Sequence, residues 1–140
     1  MKPATVVTEV VVCDASVLAS IAFGDSLSAE ARALIRSKRL LAPRLLRYEM
    51  AQVAVRRCAV AGENAHLVED AFANSLRVPV RLVEPSWPAV FQLARANGLS
   101  AYDASYLQLA LTLHVPLATL DRRLGQVADS LGIRASRQTG

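Results

Sequence analysis

At 140 residues the chain is long enough for one domain with a full core and too short for two ordinary ones. Hydrophobic residues make up 53% and charged residues 20%, which excludes a disordered chain, and no apolar run reaches the roughly 18 residues that span a bilayer. The net charge of +4 comes from fourteen Arg against two Lys, a balance compatible with a nucleic-acid substrate and equally with a composition bias, since Ala is also abundant.

The first residues lack the charged and apolar regions of a signal peptide, so the chain is read as soluble and cytoplasmic, with no membrane partner. Residues 1–140 are read as one domain, with 1–8 and 136–140 as mobile ends. Cys13 and Cys58 sit in apolar patterns and read as core residues rather than a disulfide pair. His66 and His114 stand alone, which excludes an ordinary zinc cluster.

The first element is the β-branched run Glu9–Cys13, a pattern typical of a buried parallel strand. Asp14 then opens a helix, ASVLASIAF, that Gly24 ends. Ser26 or Ser28 is expected to cap a second helix reaching about Ser37, and Leu40–Ala42 form a short strand before Pro43. A helix follows from Arg44 to Ala61, closed by Gly62, and Asn64 is expected to cap another through about Ser75.

Val80–Val83 read as a strand, and Ser86-Trp87-Pro88 starts a helix running to Asn97-Gly98. Ser100 caps an apolar helix to about Leu113, Leu117-Ala118-Thr119 form a strand after Pro116, and Asp121 caps a helix to Leu131. Ile133–Ala135 fit one last short strand. Strands alternating with helices predict an α/β fold, a parallel sheet covered on both faces, with ligands at the carboxyl ends of the strands.

Four acids interrupt or close these apolar stretches: Asp14, Glu49, Asp103 and Asp121. Each has a local explanation. Asp14 and Asp121 suit helix N-caps, Ser100-x-x-Asp103 matches a capping box, and Glu49 has Arg56 and Arg57 within reach along its helix. Yet Glu49 falls inside the stripe Leu46, Met50, Val53, and Asp103 shares a face with Leu107 and Ala110, where a solvated carboxylate is out of place.

One shared cation explains all four at once. Clustered carboxylates raise one another's pKa values unless a cation intervenes, and oxygen ligands without His or Cys select Mg²⁺ or Mn²⁺. Such an ion joins readily to phosphate oxygens and assists the attack of water on a phosphodiester. Asp14 would be the central ligand, Glu49 and Asp103 would complete the shell, and Asp121 would bind a second ion or orient the water. Ser16, two residues after Asp14, and Thr119, at the end of a strand, fit supporting roles.

The segments VCDASVL (12–18), YEMA (48–51), SAYDASYL (100–107) and TLDRRL (119–124) resemble, in this order and spacing, the PIN-domain ribonucleases and among them the VapC toxins. The resemblance implies a three-layer α/β/α sandwich with a five-stranded parallel sheet and a Mg²⁺- or Mn²⁺-dependent endoribonuclease. It also implies a homodimer neutralised by a VapB-type antitoxin. The acids at Asp14, Glu49, Asp103 and Asp121 correspond to the family's metal pocket, with Ser16 beside it. The family commonly has Asn three residues after its Glu, where this chain has Gln52. Arg122 and Arg123 flank Asp121 and are candidates to contact RNA, or else form a solvated helix start. The stretch 44–76, rich in Ala, Val and Leu with interspersed Arg, fits a groove for an antitoxin helix or a dimer interface.

Two other function classes remain compatible with an Asp at a strand end. A phosphoacceptor or phosphotransferase domain of the receiver kind needs a well-placed late lysine, and Lys2 and Lys38 are the only lysines. A non-catalytic binding module on the same fold needs no intact acids.

Overall fold

A computed structural model of the chain describes residues 8–136. The ends expected to be mobile lie, apart from Thr8 and Ser136, outside the described residues.

Four parallel strands form the sheet: β1 (Val10–Cys13), β2 (Arg39–Ala42), β3 (Val80–Leu82) and β4 (Leu117–Ala118), in the order β3-β2-β1-β4. β1 is central and buried on both faces, which is why its sequence is an unbroken apolar run; Val11, Val12 and Cys13 are all inaccessible. Its register pairs Val12 with Leu117 and Cys13 with Ala118, so the first and last strands are neighbours.

The fifth strand expected at 133–135 is reduced to a single parallel bridge between Leu117 and Arg134. Two hydrogen bonds make it, Leu117 N to Ile133 O at 2.7 Å and Ala135 N to Leu117 O at 2.9 Å. β4 spans only two residues, and Pro116 before it has no N–H to offer a neighbour, so there is no ladder to extend.

Helices flank the sheet in two groups. α1 (Ala15–Phe23), α2 (Ser28–Ile35), α3 (Leu45–Ala61) and α4 (Ala65–Ser75) pack among themselves. α5 (Trp87–Asn97), α6 (Ala101–Leu113) and α7 (Arg122–Ser130) assemble around α6, which lies against β1 and β4. The core between them draws on Val17, Leu18, Leu46, Met50, Leu107 and Leu124.

α1 ends as expected at Gly24, which takes the left-handed conformation (φ 70°) and donates its N–H to Ser20 O at 3.0 Å. Two expected caps are not made. α2 has no side-chain cap from Ser26 or Ser28; Asp25 instead accepts from Leu27 N at 2.9 Å and from the Ser20 hydroxyl. Asn64 does not cap α4, because a 3₁₀ turn at Gly62–Asn64 carries α3 almost directly into it and backbone carbonyls absorb the free N–H groups.

Candidate active site

All four acids stand at the carboxyl ends of the strands, brought there by different elements. Asp14 follows β1 directly, and α3, which leaves β2, carries Glu49 in its second turn. Asp103 lies in the first turn of α6, and Asp121 follows β4 as the N-cap of α7.

Asp14 is only 4% exposed, and hydroxyl groups brace both of its oxygens. Oδ1 accepts from Ser16 Oγ at 2.6 Å and from Val17 N at 3.2 Å; Oδ2 accepts from Thr119 Oγ1. The register of β1 with β4 makes this meeting of Asp14 and Thr119 obligatory, and Asp14 N donates to Ala118 O at 3.2 Å just before it. Ser16 in turn accepts from Leu120 N at 2.9 Å, and Thr119 Oγ1 from Asp121 N at 3.0 Å. The two hydroxyls thus tie the loop after β4 to the start of α1.

Burial pushes the Asp14 carboxyl up to about 6, against the pull of its hydrogen bonds from Ser16, Thr119 and Val17 and helped by the nearby Glu49 charge. Glu49 is also raised, first by burial and then by Asp103; Asp103 is raised by burial and then by Asp121. The acids therefore form an open row, Asp14, Glu49, Asp103, Asp121, in which each of the first three is opposed in its ionisation by the charge of the next. Among the described residues, no three His, Cys, Asp or Glu side chains gather tightly enough to enclose an ion as they stand.

The capping roles coexist with the row. Asp14 caps α1 with Oδ1, and Asp121 caps α7 by accepting from Leu124 N at 2.8 Å, again with Oδ1. In the Ser100-x-x-Asp103 box the Ser100 oxygen makes the cap, accepting from Asp103 N at 3.0 Å, so the cap does not consume the Asp103 carboxylate. Neither arginine expected to rival the site pairs with Glu49. Arg57 stacks over Phe23 and pairs with Asp25 at 3.9 Å, and no salt bridge among the described residues involves Arg56 or Glu49.

Glu49 has a partner that sequence reasoning missed. The hydroxyl of Tyr106, whose side chain is 1% exposed, donates to Glu49 Oε1 at 2.6 Å. Burial and the adjacent Glu49 charge push the Tyr106 phenol far up, so it is always a donor here. The signal was present: a phenol three residues after Asp103, in an otherwise apolar helix, needs a buried acceptor.

Gln52 faces a cleft of about 200 Å³ together with Ser16, Glu49 and Arg56. Of the two arginines beside Asp121, Arg122 is exposed, while Arg123 donates to Gly98 O at 2.6 Å and so fastens the turn between α5 and α6 to the start of α7. Gly98 (φ 62°) is suited to that turn, and a Cβ there would meet the Arg123 guanidinium at 2.7 Å.

The PIN domain family model matches residues 11–130, and the chain belongs to the PIN domain family. Its fold is similar to the crystal structure of PAE2754 from Pyrobaculum aerophilum, with a TM-score of 0.69, 24% identity, and coverage of 84% of this chain and 78% of that one. It is also similar to Mycobacterium tuberculosis VapC20, a sarcin-ricin loop cleaving toxin, with a TM-score of 0.66, 17% identity, and coverage of 91% and 99%. Comparison with curated protein sequences returns no match.

Proposed function

We propose that the chain is a metal-dependent endoribonuclease of the VapC toxin type, with Asp14, Glu49, Asp103 and Asp121 as its metal-binding and catalytic residues. The observation that carries this reading is the row itself: four carboxylates at the carboxyl edge of the sheet, with the ionisation of Asp14, Glu49 and Asp103 opposed by burial and by a neighbouring carboxylate, and none of the four in a salt bridge among the described residues. An open, oxygen-only row fits a hard ion that keeps several waters, as Mg²⁺ does and as Mn²⁺ would in its place. When bound, the ion supplies positive charge that offsets the carboxylates and the charge developing on the scissile phosphate.

Asp14 is the central ligand, held in one orientation by Ser16 and Thr119, and Glu49 and Asp103 complete the set. Asp121, at the exposed end, orients the attacking water and takes its proton. The water oxygen bonds to phosphorus as the bond to the leaving ribose oxygen breaks in line. Gln52 stands where the family commonly has Asn and faces the same cleft as Glu49.

Beyond the chemistry, the reading includes a homodimer in the cytoplasm, neutralised by a VapB-type antitoxin. No helix among the described residues is long and apolar enough to cross a membrane. A groove of about 500 Å³ between α1, α3 and α4, lined by Phe23, Val60, Leu67 and Ala71 with Arg56 and Arg57 at its side, supports a partner helix. The phosphoacceptor alternative gains nothing from Lys38, which precedes β2 at the opposite edge of the sheet and pairs with Glu9.

The direct test is cleavage of RNA with Mg²⁺, with EDTA, and after Mg²⁺ is restored. Loss and recovery are expected; cleavage that persists in EDTA refutes the metal-dependent reading. Tyr106→Phe is expected to cost about 1–2 kcal/mol in a urea melt, because Glu49 loses its hydrogen bond from a neutral donor. It should also lower cleavage about 10- to 100-fold, as loss of a group that orients a ligand does. Cleavage that matches wild type would reduce Tyr106 to a packing residue.

A further inference from the structure

The chain has three tyrosines, and each lies on α3 or α6, the two helices that carry Glu49 and Asp103. Tyr106 is committed to Glu49. The other two are solvent-facing: Tyr48, next to Glu49, is 77% exposed and Tyr102, next to Asp103, is 63% exposed. Trp87 and Phe91 on α5 are as bare, so what sets these two rings apart is their position next to acids of the row.

Their placement is ordered. Tyr48, Gln52 and Arg56 succeed one another at intervals of four along the outer face of α3, and the last two line the cleft that holds Ser16 and Glu49. Tyr102 precedes Tyr106 by one turn on the same face of α6. Since Tyr106 reaches Glu49, Tyr102 lies on the same side of α6, one turn nearer its exposed start.

The arginines of this region are unequal. Arg47 donates to Ser75 O at 3.4 Å, Arg57 is held by Phe23 and Asp25, and Arg44 pairs with Glu84 at 3.7 Å. Arg56 has no acidic partner among the described residues, so its fork is available to a phosphate.

We infer that Tyr48 and Tyr102 are the stacking platforms for unpaired bases of the substrate, with Gln52 on a base edge and Arg56 on a neighbouring phosphate. The inference rests on the ribonuclease reading. Exposed aromatic faces accept splayed bases, whereas a duplex keeps its bases stacked inside and offers these rings nothing. A protein helix has a better-matched home in the apolar groove between α1, α3 and α4.

The test is fluorescence anisotropy on the full chain in EDTA, which separates binding from cleavage, with a labelled short single-stranded oligoribonucleotide and the duplex made from it. Wild type is expected to prefer the single strand, and Tyr48→Ala and Tyr102→Ala should each weaken that binding about tenfold while the Phe variants stay within about twofold. Arg56→Ala should reduce the slope of log affinity against log salt by about 0.7. Absence of binding by wild type, equal affinity for duplex, or alanine variants that bind as wild type would each overturn the inference. So would unchanged RNA binding in variants that lose a co-purifying partner protein. Cleavage assayed in parallel with Mg²⁺ keeps the two ideas apart. If RNA is cut but the alanine variants bind normally, the stacking inference falls and the nuclease reading stands. If the binding pattern holds and nothing is cut, the reverse is true.

Discussion

Asp14→Asn is expected to abolish RNA cleavage and, in the same protein, to raise the stability of the metal-free fold at neutral pH. The first effect follows from losing the central ligand of the row, with a fall of about 100-fold or more. The second follows from the burial of Asp14, whose carboxyl ionises at about 6 in the fold against an ordinary value of 3.8. That interval is worth about 3 kcal/mol. Asn fits the same place: its carbonyl can accept from Ser16 and Val17, and its amide can donate to a Thr119 hydroxyl turned the other way. Some hydrogen-bond energy is lost in the exchange, so a net gain of about 1–3 kcal/mol at pH 7 in EDTA is expected.

The sign of the pH dependence makes this prediction sharper. Between about pH 4 and pH 6 the native state keeps a proton on Asp14 that the unfolded chain has already released, so the native state binds more protons and loses stability as pH rises. The shifts at Glu49 and Asp103 run in the same direction. Urea melts in EDTA should therefore show a decline from about pH 4 to about pH 6 that flattens above it, with a smaller decline in Asp14→Asn. Added Mg²⁺ should raise the stability of wild type above pH 6 and have little effect on the variant. A variant that melts below wild type at pH 7 and still shows the full decline would mean that Asp14 is a structural anchor and not a strained ligand.

How much of this was legible in the sequence depends on whether the signal is local. β1 and α6 were plain because a β-branched run and a nearly all-apolar helix each have one physical reading, and the stops at Gly24 and Gly98 follow from their left-handed backbone. The four acids stood out for the same reason, as charges in places where charge is costly. Long-range pairing was legible only as an inference from the alternation of strands and helices, which puts Thr119 and Asp121 beside Asp14 without fixing the strand order. Nothing within 9–14 or 117–121 says that β1 and β4 are adjacent, and that adjacency alone brings Thr119 to Asp14. Tyr106 was missed because a tyrosine in an apolar helix reads as core until its hydroxyl needs an acceptor. The expected fifth strand shrank to one bridge because β4 is only two residues long, and the Ser26, Ser28 and Asn64 caps failed because neighbouring turns had already satisfied the backbone groups they would have served.

Thr119→Val is expected to be as damaging as any single change that preserves shape. Thr119 is 2% exposed, and its one hydroxyl gives its proton to Asp14 Oδ2 while accepting from Asp121 N. Valine fills the same space, leaves the buried Asp14 Oδ2 without its donor at about 1–3 kcal/mol, and takes from the more exposed Asp121 N–H a hydrogen bond worth about 1 kcal/mol. A loss of about 2–4 kcal/mol in urea unfolding is therefore expected, with Thr119→Ser close to wild type. Cleavage should fall about 10- to 100-fold as Asp14 loses the group that holds it and Asp121 loses its backbone anchor. The Thr119 hydrogen bond also lowers the Asp14 pKa, so its removal shifts the decline of stability to higher pH. A double-mutant cycle separates the two partners. If the hydroxyl acts through the Asp14 charge, Thr119→Val costs less in an Asp14→Asn background than alone, and the coupling measures that share. Equal cost in both backgrounds would assign Thr119 to the Asp121 turn, and the two ends of the row would then be braced independently.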